Sequence, residues 1–342
     1  MRRPMLPIAA ALALSLVASA QAQDVASFYR GKTVKIIVST TTGNGYDFYG
    51  RTVARHLSRH LPGNPTMLPQ NMPGAGGITA ANHFYNLAEK DGTVIGLLQN
   101  TVPFEPLYDN KAARFDATKL NWLGSPNSEI SLLLIWHTVP VETIQDLRTH
   151  EVSMAASGVN STPAFYGRLI NELLHTRMKI ISGYPGQGEA FLAMENREVD
   201  GYPTTFWSSL KTIKPNWIRD HEVKALLQYS GEPSPEFKDV PFGPDLTDND
   251  EDKQLFLLAA TSLTVGRPFL APPGVPAERV AALRKAFSDM FADPDFRADL
   301  EKQHLDEDNP KSGAELEAII TRMYASPPQL IERLRKIYGT ER

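Results

Sequence analysis

Short apolar segments alternate along the chain with polar, glycine-containing loops and helical stretches. A strand, such a loop and a helix, in this order, are typical of parallel α/β units. The first series has strand candidates at Val34–Val38, Met67–Asn71 and Thr93–Gln99, and helical stretches at about 46–60 and at Ile78–Leu87. Because these units follow one another within about 70 residues, the pattern predicts a doubly wound α/β sheet.

A second series of the same kind predicts a second α/β lobe. Its strand candidates are Val152–Ala156, Met178–Gly183 and Val223–Tyr229, with helices at about 162–175 and 189–196. Extended runs at Leu120–Thr138 and Leu255–Leu270 are expected to cross between the lobes. Two lobes joined by two extended crossover segments describe a hinged clamshell, and the cleft between them is the expected ligand site.

The predicted domain organisation has three parts. Residues 1–22 combine Arg2 and Arg3, a short apolar run and Ala20-Gln21-Ala22, which is typical of a signal peptide cleaved near Ala22 and predicts an exported protein. Lobe 1 is expected to comprise 23–124 and 260–342, and lobe 2 to comprise 125–259. Four helical stretches between Ala277 and Tyr338 are expected to pack back on lobe 1.

Composition excludes several kinds of site. The 342 residues include no Cys, which excludes disulfides, Cys-ligated metal centres and a thiol nucleophile. The net charge is −4 and no basic block occurs, so nucleic acid is not an expected partner.

Three polar loops, each placed after a strand candidate and before a helix, are the strongest functional signal. They are Thr40–Gly45, Gly74–Gly77 and Ser157–Thr162. Loops of this kind hold free backbone N–H groups at a helix N-terminus, where the helix dipole favours an anion. Ligands of open α/β sheets also bind at the carboxyl ends of the strands. A purely structural role in turns and caps is the alternative for each loop taken alone.

Other sites have weaker support. Gly74–Gly77 does not complete a dinucleotide fingerprint, because Thr79 stands where the last Gly is required. His56 and His60 have the spacing of a metal pair, but the neighbouring Arg55 and Arg59 oppose a cation. No G-x-S-x-G nucleophile motif occurs. We therefore predict no catalytic residue, no metal and no cofactor.

Several residues beside the loops have two possible roles. Asp47 lies in the first turn of the predicted helix, where it either caps backbone N–H groups or meets a donor group of a ligand. The aromatic residues Tyr46, Tyr184 and Phe206 lie at loop edges and either line the cleft or belong to the core.

With these loops located, the sequence from about Phe28 to Tyr338 resembles the periplasmic substrate-binding proteins of tripartite tricarboxylate transporters. Gln70–Gly77 is similar to the family's N-R-P-G-A-G-G signature, and Lys90–Thr93 to its P-D-G-Y/T. The other matching segments, in chain order, are Val34–Asp47 with Arg51, Gly158–Thr162, Tyr184–Gly186, Val199–Gly201 and Leu270–Pro276.

The resemblance implies a periplasmic clamshell receptor, monomeric and not an enzyme. It would capture a small organic carboxylate, either a di- or tricarboxylate or an aromatic one, and deliver it by transient contact to integral-membrane transporter subunits. The ligand-binding residues that the resemblance and the loop edges together imply are Thr41, Thr42, Gly43, Asn44, Tyr46, Asp47, Ala75, Gly76, Gly77, Gly158, Asn160, Ser161, Thr162, Tyr184, Thr205 and Phe206.

This chain departs from the family pattern at three places. Tyr46 replaces a Thr of the usual P-x-G-G-G-T-D loop and is expected either to supply a phenol or to narrow the pocket. Met72 replaces an Arg, which removes a charge near the site. The aromatic segment Tyr202–Trp207 favours an aromatic or longer-chain carboxylate. A secreted α/β hydrolase that uses the same cleft, and a receptor that signals to a sensor kinase, remain alternatives at this point.

Overall fold

The computed structural model describes residues 25–159, 161–305 and 309–339, and their strands form two separate mixed sheets. The strands are β1 (Thr33–Val38), β2 (Thr66–Asn71), β3 (Val94–Leu97), β4 (Asn121–Ser125), β5 (Ser131–Trp136), β6 (Val152–Ala156), β7 (Met178–Ser182), β8 (Gly201–Phe206), β9 (Val223–Tyr229), β10 (Phe269–Ala271) and β11 (Lys311–Ser312). The fold is the two-lobe α/β architecture that the sequence predicts. The predicted signal peptide lies outside the described residues.

Helices cover both sheets. From residue 45 onward the α-helices are α1 (Gly45–His60), α2 (Ile78–Asn86), α3 (Thr162–Leu174), α4 (Gln187–Glu195), α5 (Trp207–Ile213), α6 (Pro215–Arg219), α7 (Asp250–Val265), α8 (Ala277–Phe291), α9 (Pro294–Lys302), α10 (Gly313–Tyr324) and α11 (Pro328–Tyr338). Within the described ranges, none of the helices combines the length and apolar character that crossing a bilayer requires.

The sheet of lobe 1 has the strand order β11-β4-β10-β3-β1-β2. Strand β1 is parallel to both β2 and β3, so that Val38 pairs with Asn71 on one side and with Leu97 on the other. These three strands therefore end at one edge of the sheet, and the loops that follow β1 and β2 leave from that edge.

The sheet of lobe 2 has the order β7-β6-β8-β5-β9. Strand β6 is parallel to β7 and to β8, and Ala156 pairs with Ser182. Strand β5 is antiparallel to its neighbours, so that its first residue, Ser131, pairs with Phe206 at the end of β8. The carboxyl ends of β6, β7 and β8 thus share an edge with the start of β5.

The connections between the lobes join these two edges. The first crossing leaves β4 at Ser125 and enters β5 at Ser131. The second crossing runs from the end of α7 into β10, whose first residue, Phe269, pairs with Leu97 and Gly124 at the carboxyl edge of lobe 1. Because the first crossing connects carboxyl edges and the second enters lobe 1 at the same edge, the loops of the two lobes face a common interlobe space.

One predicted extended segment is a helix. Residues 255–265 of the run Leu255–Leu270 belong to α7, and only Phe269–Ala271 is strand. Helix α7 packs against α3, α10 and α11 and buries residues around its circumference, including Leu255, Phe256, Leu258 and Ala259. A helix that is buried on several sides gives a continuous apolar run, which periodicity alone does not distinguish from a strand.

The C-terminal helices follow the predicted stretches but not wholly the predicted packing. Helices α8 and α9 pack on α1 in lobe 1. Helix α11 packs against α3 of lobe 2, which the prediction did not include. There Arg168 donates hydrogen bonds to the carbonyl oxygens of Ile337 and Tyr338. The predicted boundary between residues 259 and 260 falls inside α7, and the lobe boundaries remain a prediction.

Candidate ligand-binding cleft

The loop after β1 is held by its own side chains. Asn44 is the N-cap of α1, and its Oδ1 accepts hydrogen bonds from the backbone N–H groups of Tyr46 (3.0 Å) and Asp47 (3.3 Å). Its Nδ2 donates to the carbonyl oxygen of Thr41 at 2.7 Å. Among the described residues, the N–H groups of Asn44 and Gly45 donate to no protein acceptor. The loop is therefore fixed while part of its helix N-terminus stays unpaired.

Asp47 is buried beneath this loop and has its carboxylate fully engaged. It accepts hydrogen bonds from Gly43 N (2.9 Å), Arg51 Nε (3.0 Å) and Asn71 Nδ2 (3.0 Å). Burial alone would raise the pKa of Asp47, but these three donors outweigh it, so the pKa lies below its ordinary value. The Asp47 carboxylate therefore caps the Gly43 N–H just before α1 and ties Arg51 and Asn71 to the loop, while contact between Asp47 and a ligand stays a prediction.

The loop after β2 presents backbone donors. Asn71 joins it to the first loop by donating to the carbonyl oxygen of Thr40 at 3.0 Å. A short 3₁₀ turn is formed by Ala75, Gly76 and Gly77, whose φ angles are 46°, 64° and 98°. A positive φ is energetically unfavourable for a non-glycine residue such as Ala75. Within the described part of the chain, the N–H groups of Ala75 and Gly76 find no acceptor. A Cβ added at Gly76 would meet nothing within 4 Å, so this turn faces open space.

The loops of lobe 2 are built in a similar way. Ser161 precedes α3, and its hydroxyl donates to Gly158 O (2.7 Å) and accepts from Gly158 N (3.2 Å). The loop after β7 is tied to β6 because Gly183 N and Tyr184 N both donate to Ala156 O. Thr162 is half-buried, as is Tyr184, which packs against the core of this lobe. Asn160 lies outside the described residues.

Aromatic side chains from both lobes meet at the crossings. Tyr46 is buried, and its hydroxyl accepts a hydrogen bond from Asn100 N (2.9 Å) and lies 3.2 Å from Asn100 Oδ1, to which it donates. The guanidinium carbon of Arg267 lies 4.4 Å from the centroid of the Tyr46 ring and 5.8 Å from that of Phe206 in lobe 2. Burial raises the pKa of the Tyr46 phenol, which stays protonated.

The structure thus places the candidate residues at three depths. Exposed or half-buried positions facing the interlobe edges are Thr41, Thr42, Gly43, Asn44, Ala75, Gly76, Gly158, Ser161, Thr162, Tyr184 and Phe206. Tyr46, Asp47 and Gly77 are buried beneath the loops of lobe 1. Thr205 is fully buried within β8, and its hydroxyl has no hydrogen-bond partner in the described residues.

Sequence reasoning did not identify Arg267 and Glu129, which form a buried ion pair with 2.9 Å between Arg267 Nη2 and Glu129 Oε1. Their side chains are only 4% and 2% exposed. In the sequence, Arg267 is a single cation near the end of the apolar run Leu255–Leu270, and Glu129 is a single acid just before β5. Isolated charges next to apolar segments are seldom fully buried unless they are paired.

A separate cavity of about 1040 Å³ borders the first crossing. Its lining comes from the Ser128–Ile130 segment, the loop 230–236, and helices α7, α10 and α11. Of the predicted ligand-binding residues that the structure describes, none borders it. The predicted site at the facing loops is therefore distinct from this cavity.

The described residues contain no group of three or more His, Cys, Asp or Glu side chains arranged to hold a metal ion. His56 and His60 each pair with an aspartate of the α9 region, with 2.8 Å between His56 Nε2 and Asp299 and between His60 Nε2 and Asp293. These histidines join helices instead of facing the interlobe space.

Sequence comparison identifies related proteins. A family model described as the tripartite tricarboxylate transporter family receptor matches residues 50–335. A UPF0065 protein of Bordetella bronchiseptica is 25% identical over 288 residues, which cover 83% of this chain and 78% of that protein.

Solved structures share the fold at lower identity. A ligand-free TctC solute-binding protein from Polaromonas has a TM-score of 0.67 and 18% identity, with 89% of this chain and 99% of that one covered. MatC from Rhodopseudomonas palustris with bound malate has a TM-score of 0.63 and 19% identity, covering 90% and 99%. A second R. palustris protein, with adipate, has a TM-score of 0.60 and 17% identity, covering 90% and 97%.

Proposed function

Because the chain belongs to the tripartite tricarboxylate transporter receptor family, we propose that it captures a small organic carboxylate between its lobes and delivers it to a membrane transporter. Proteins of this family are solute-binding receptors of the periplasm. The finer assignments, namely the carboxylate, the transporter and the contact residues, are part of the proposal.

The observation that carries the proposal is the set of backbone N–H groups at the facing loops that donate to no acceptor among the described residues. In lobe 1 these are the N–H groups of Asn44 and Gly45 at the start of α1 and of Ala75 and Gly76 before α2. Such groups at a helix N-terminus bind anions through direct hydrogen bonds and through the helix dipole. No basic side chain is needed for this kind of recognition, which agrees with Met72 standing where the family resemblance predicts an Arg.

The remaining candidate contacts come from lobe 2. We assign the far end of the ligand to Gly158, Ser161, Thr162 and the undescribed Asn160, with Tyr184 beside them. Lobe closure would remove water from the cleft and so strengthen the hydrogen bonds between the loops and the carboxylate. The lobes would then present the closed form to the transporter.

The choice of test ligands follows from the structural relatives. Malate and adipate are both dicarboxylates and are bound by proteins that share this fold. The half-buried Phe206 and Tyr184 add aromatic surface in lobe 2, so aromatic acids belong in the same panel. We further propose export through cleavage near Ala22 and action as a monomer.

The test is a thermal-shift screen of residues 23–342 against mono-, di-, tricarboxylic and aromatic acids, followed by calorimetry on the acids that bind. Unfolding and refolding the protein first removes any carboxylate that co-purifies with it. At 100 times its dissociation constant, a ligand adds about 2.7 kcal/mol to the free energy of unfolding, which raises the melting temperature visibly.

A matched pair of variants tests whether the ligand binds at the predicted loop after β2. The variants Gly76→Asn and Gly76→Asp have side chains of equal size. A Cβ at this position meets nothing within 4 Å. The φ of Gly76 is 64°, a value that Asn and Asp adopt more readily than other non-glycine residues do. Gly76→Asp adds a negative charge and is expected to weaken carboxylate binding at least tenfold relative to Gly76→Asn. If no acid raises the melting temperature, or if the two variants bind equally, the proposal is wrong.

A further inference from the structure

The two crossings contact each other through uncharged groups, namely the backbone and the Ser125 hydroxyl. Arg267 N donates to Ser125 Oγ at 2.8 Å, and Ser125 Oγ donates to Asn127 O at 2.8 Å. A Cβ at Gly266, whose φ is 63°, would lie 1.8 Å from Asn127 O. Glu129 N also donates to Leu263 O at 2.8 Å. The second crossing therefore lies directly against the first.

The ion pair of Arg267 and Glu129 extends this contact into both lobes. On the lobe 1 side, the Arg267 guanidinium lies over the rings of Tyr46 and Tyr49, and its Nη2 is 3.3 Å from the Cβ position of Gly45. Arg267 therefore packs against the first turn of α1, directly below the candidate loop. Arginine packs well in this position because its planar guanidinium stacks on aromatic faces.

On the lobe 2 side, Glu129 accepts a hydrogen bond from Ser208 Oγ (2.9 Å) at the start of α5 and from Asn127 Nδ2 (2.9 Å). The Arg267 guanidinium also faces Phe206, the last residue of β8. Burial by itself would lower the pKa of Arg267, but the neighbouring Glu129 and tyrosine rings more than offset this, and the guanidinium stays charged. One buried pair thus touches both crossings and the site-facing end of each lobe.

From this placement we propose that Arg267 and Glu129 are positioning residues that set the angle between the lobes, and thereby the distance between the two groups of ligand loops. Neither side chain is exposed enough to meet the ligand. A fully buried ion pair adds little net stability compared with apolar residues of the same size, whereas loss of one partner is strongly destabilising. What the pair contributes here is one defined lobe arrangement.

The test compares single and double replacements. Arg267→Met leaves the buried Glu129 carboxylate without its cation, and Glu129→Leu leaves the buried Arg267 guanidinium without its anion. Each single replacement is expected to lower the melting temperature. Arg267→Met combined with Glu129→Leu removes both charges and is expected to recover part of that loss, although Ser208 Oγ and Asn127 Nδ2 lose their acceptor. The double replacement Lys285→Gln with Asp289→Asn, in an exposed ion pair on α8, is the control and is expected to change nothing.

The deciding measurement is the distance between spin labels at Phe48→Cys in lobe 1 and Leu192→Cys in lobe 2. Both side chains are exposed, and the chain has no other Cys to be labelled. In the ligand-free protein we expect the Met/Leu double variant to broaden or shift the distance distribution relative to the control. An unchanged distribution overturns the proposal; if the double variant does not fold, Arg267→Lys, which keeps the charge but loses the planar stacking, is judged by the same criterion.

A second readout, carboxylate affinity, rests on the proposed function. The Met/Leu double variant is expected to bind the acid found in the screen at least tenfold more weakly, although it is more stable than either single variant. Wild-type affinity in that variant contradicts the positioning role. Failure of the wild-type protein to bind any carboxylate would instead overturn the proposed function, and the label distances would still test the hinge.

Discussion

Tyr46 stands where the family resemblance predicts a threonine, and its environment shows how the larger residue is accommodated. The ring packs under Arg267, and the hydroxyl takes part in two hydrogen bonds with Asn100. Asn100 Nδ2 donates in turn to Ser262 O in α7. The Tyr46 phenol is thus already engaged by the protein, and a narrower pocket stays the prediction for this residue.

We therefore expect Tyr46→Phe to destabilise the protein by about 1–3 kcal/mol, because Asn100 N and Oδ1 would be left buried without their partner. Urea unfolding measures the change. Tyr85→Phe is the control, since Tyr85 is half-buried and its hydroxyl has no hydrogen bond within the described residues. Equal stability of Tyr46→Phe and the wild type would show that the Asn100 contact is replaced by water.

Arg267 marks the limit of reading single residues from the sequence. The candidate loops could be predicted because glycine, serine and asparagine have local reasons to lie between a strand and a helix. The partners of Arg267 are Glu129, 138 positions earlier, and Tyr46, still farther away. Only the paired sheets bring these residues together, so no local pattern could have indicated the ion pair.

The start of α1 combines a helix cap with a loop anchor, and both functions reside in Asn44. Asn44→Ala is expected to cost about 0.5–2 kcal/mol of stability through loss of the cap. Asn44→Ser restores an acceptor for the helix but not the Nδ2 hydrogen bond to Thr41 O. We expect the Ser variant to recover most of the stability in urea unfolding while both variants bind carboxylate more weakly. Full affinity in either variant would mean that the Thr41 anchor does not shape the site.

Helix α1 is joined to the α9 region by two aspartates, each shared between an arginine and a histidine. Asp299 pairs with Arg55 and His56, and Asp293 pairs with Arg59 and His60. The hydrogen bond from Arg59 is the main cause that lowers the pKa of Asp293 from 3.8 to about 2. A carboxylate with a lowered pKa in the folded state stabilises the protein above its unfolded pKa and loses that contribution as pH falls.

We accordingly expect the urea midpoint to fall between about pH 4 and pH 2, and Asp293→Asn to flatten this part of the profile. The variant is also expected to be less stable than the wild type at pH 7, where the ion pair is present. Asp239→Asn, at an exposed carboxylate without an ion-pair partner in the described residues, is the control. A wild-type slope in Asp293→Asn would contradict the assignment.

Helices and strands differ in how well the sequence predicts them. Strands β1, β6 and β9 follow the predicted segments closely, because each is a short apolar run bounded by polar residues. Strand β8 was not among the predicted strands, and it contains Pro203, a residue that is unusual in a central strand. The register of β8 shifts against β5 beside this proline, and its pairing with β6 is limited to Gly201. The shift lets a central strand tolerate a residue that cannot donate to the ladder.

Helices α7 and α11 each contact residues of both lobes. None of the candidate ligand loops adjoins helix α7. The carbonyl oxygen of Ser262 in α7 accepts a hydrogen bond from Asn100 of lobe 1, and the Ser262 hydroxyl lies 3.3 Å from the Tyr166 hydroxyl of lobe 2. Tyr338 of α11 stacks on Tyr108 and donates to Glu105, while its carbonyl oxygen accepts from Arg168. Motion of the lobes is therefore expected to pivot about these two helices, which opens or closes the space between the loop-bearing edges.

This pivot predicts how the whole protein responds to ligand. Labels at Phe48→Cys and Leu192→Cys report the distance between α1 and α4, two helices that start at the facing loops. Saturating carboxylate is expected to shorten and narrow their distance distribution, because contacts with both loop groups favour one closed arrangement. Labels at Phe48→Cys and Leu87→Cys, both in lobe 1, are the control and should not respond. Ligand binding with an unchanged interlobe distance would mean that the site is preformed, and the transporter would then have to recognise the ligand itself and not a closed receptor.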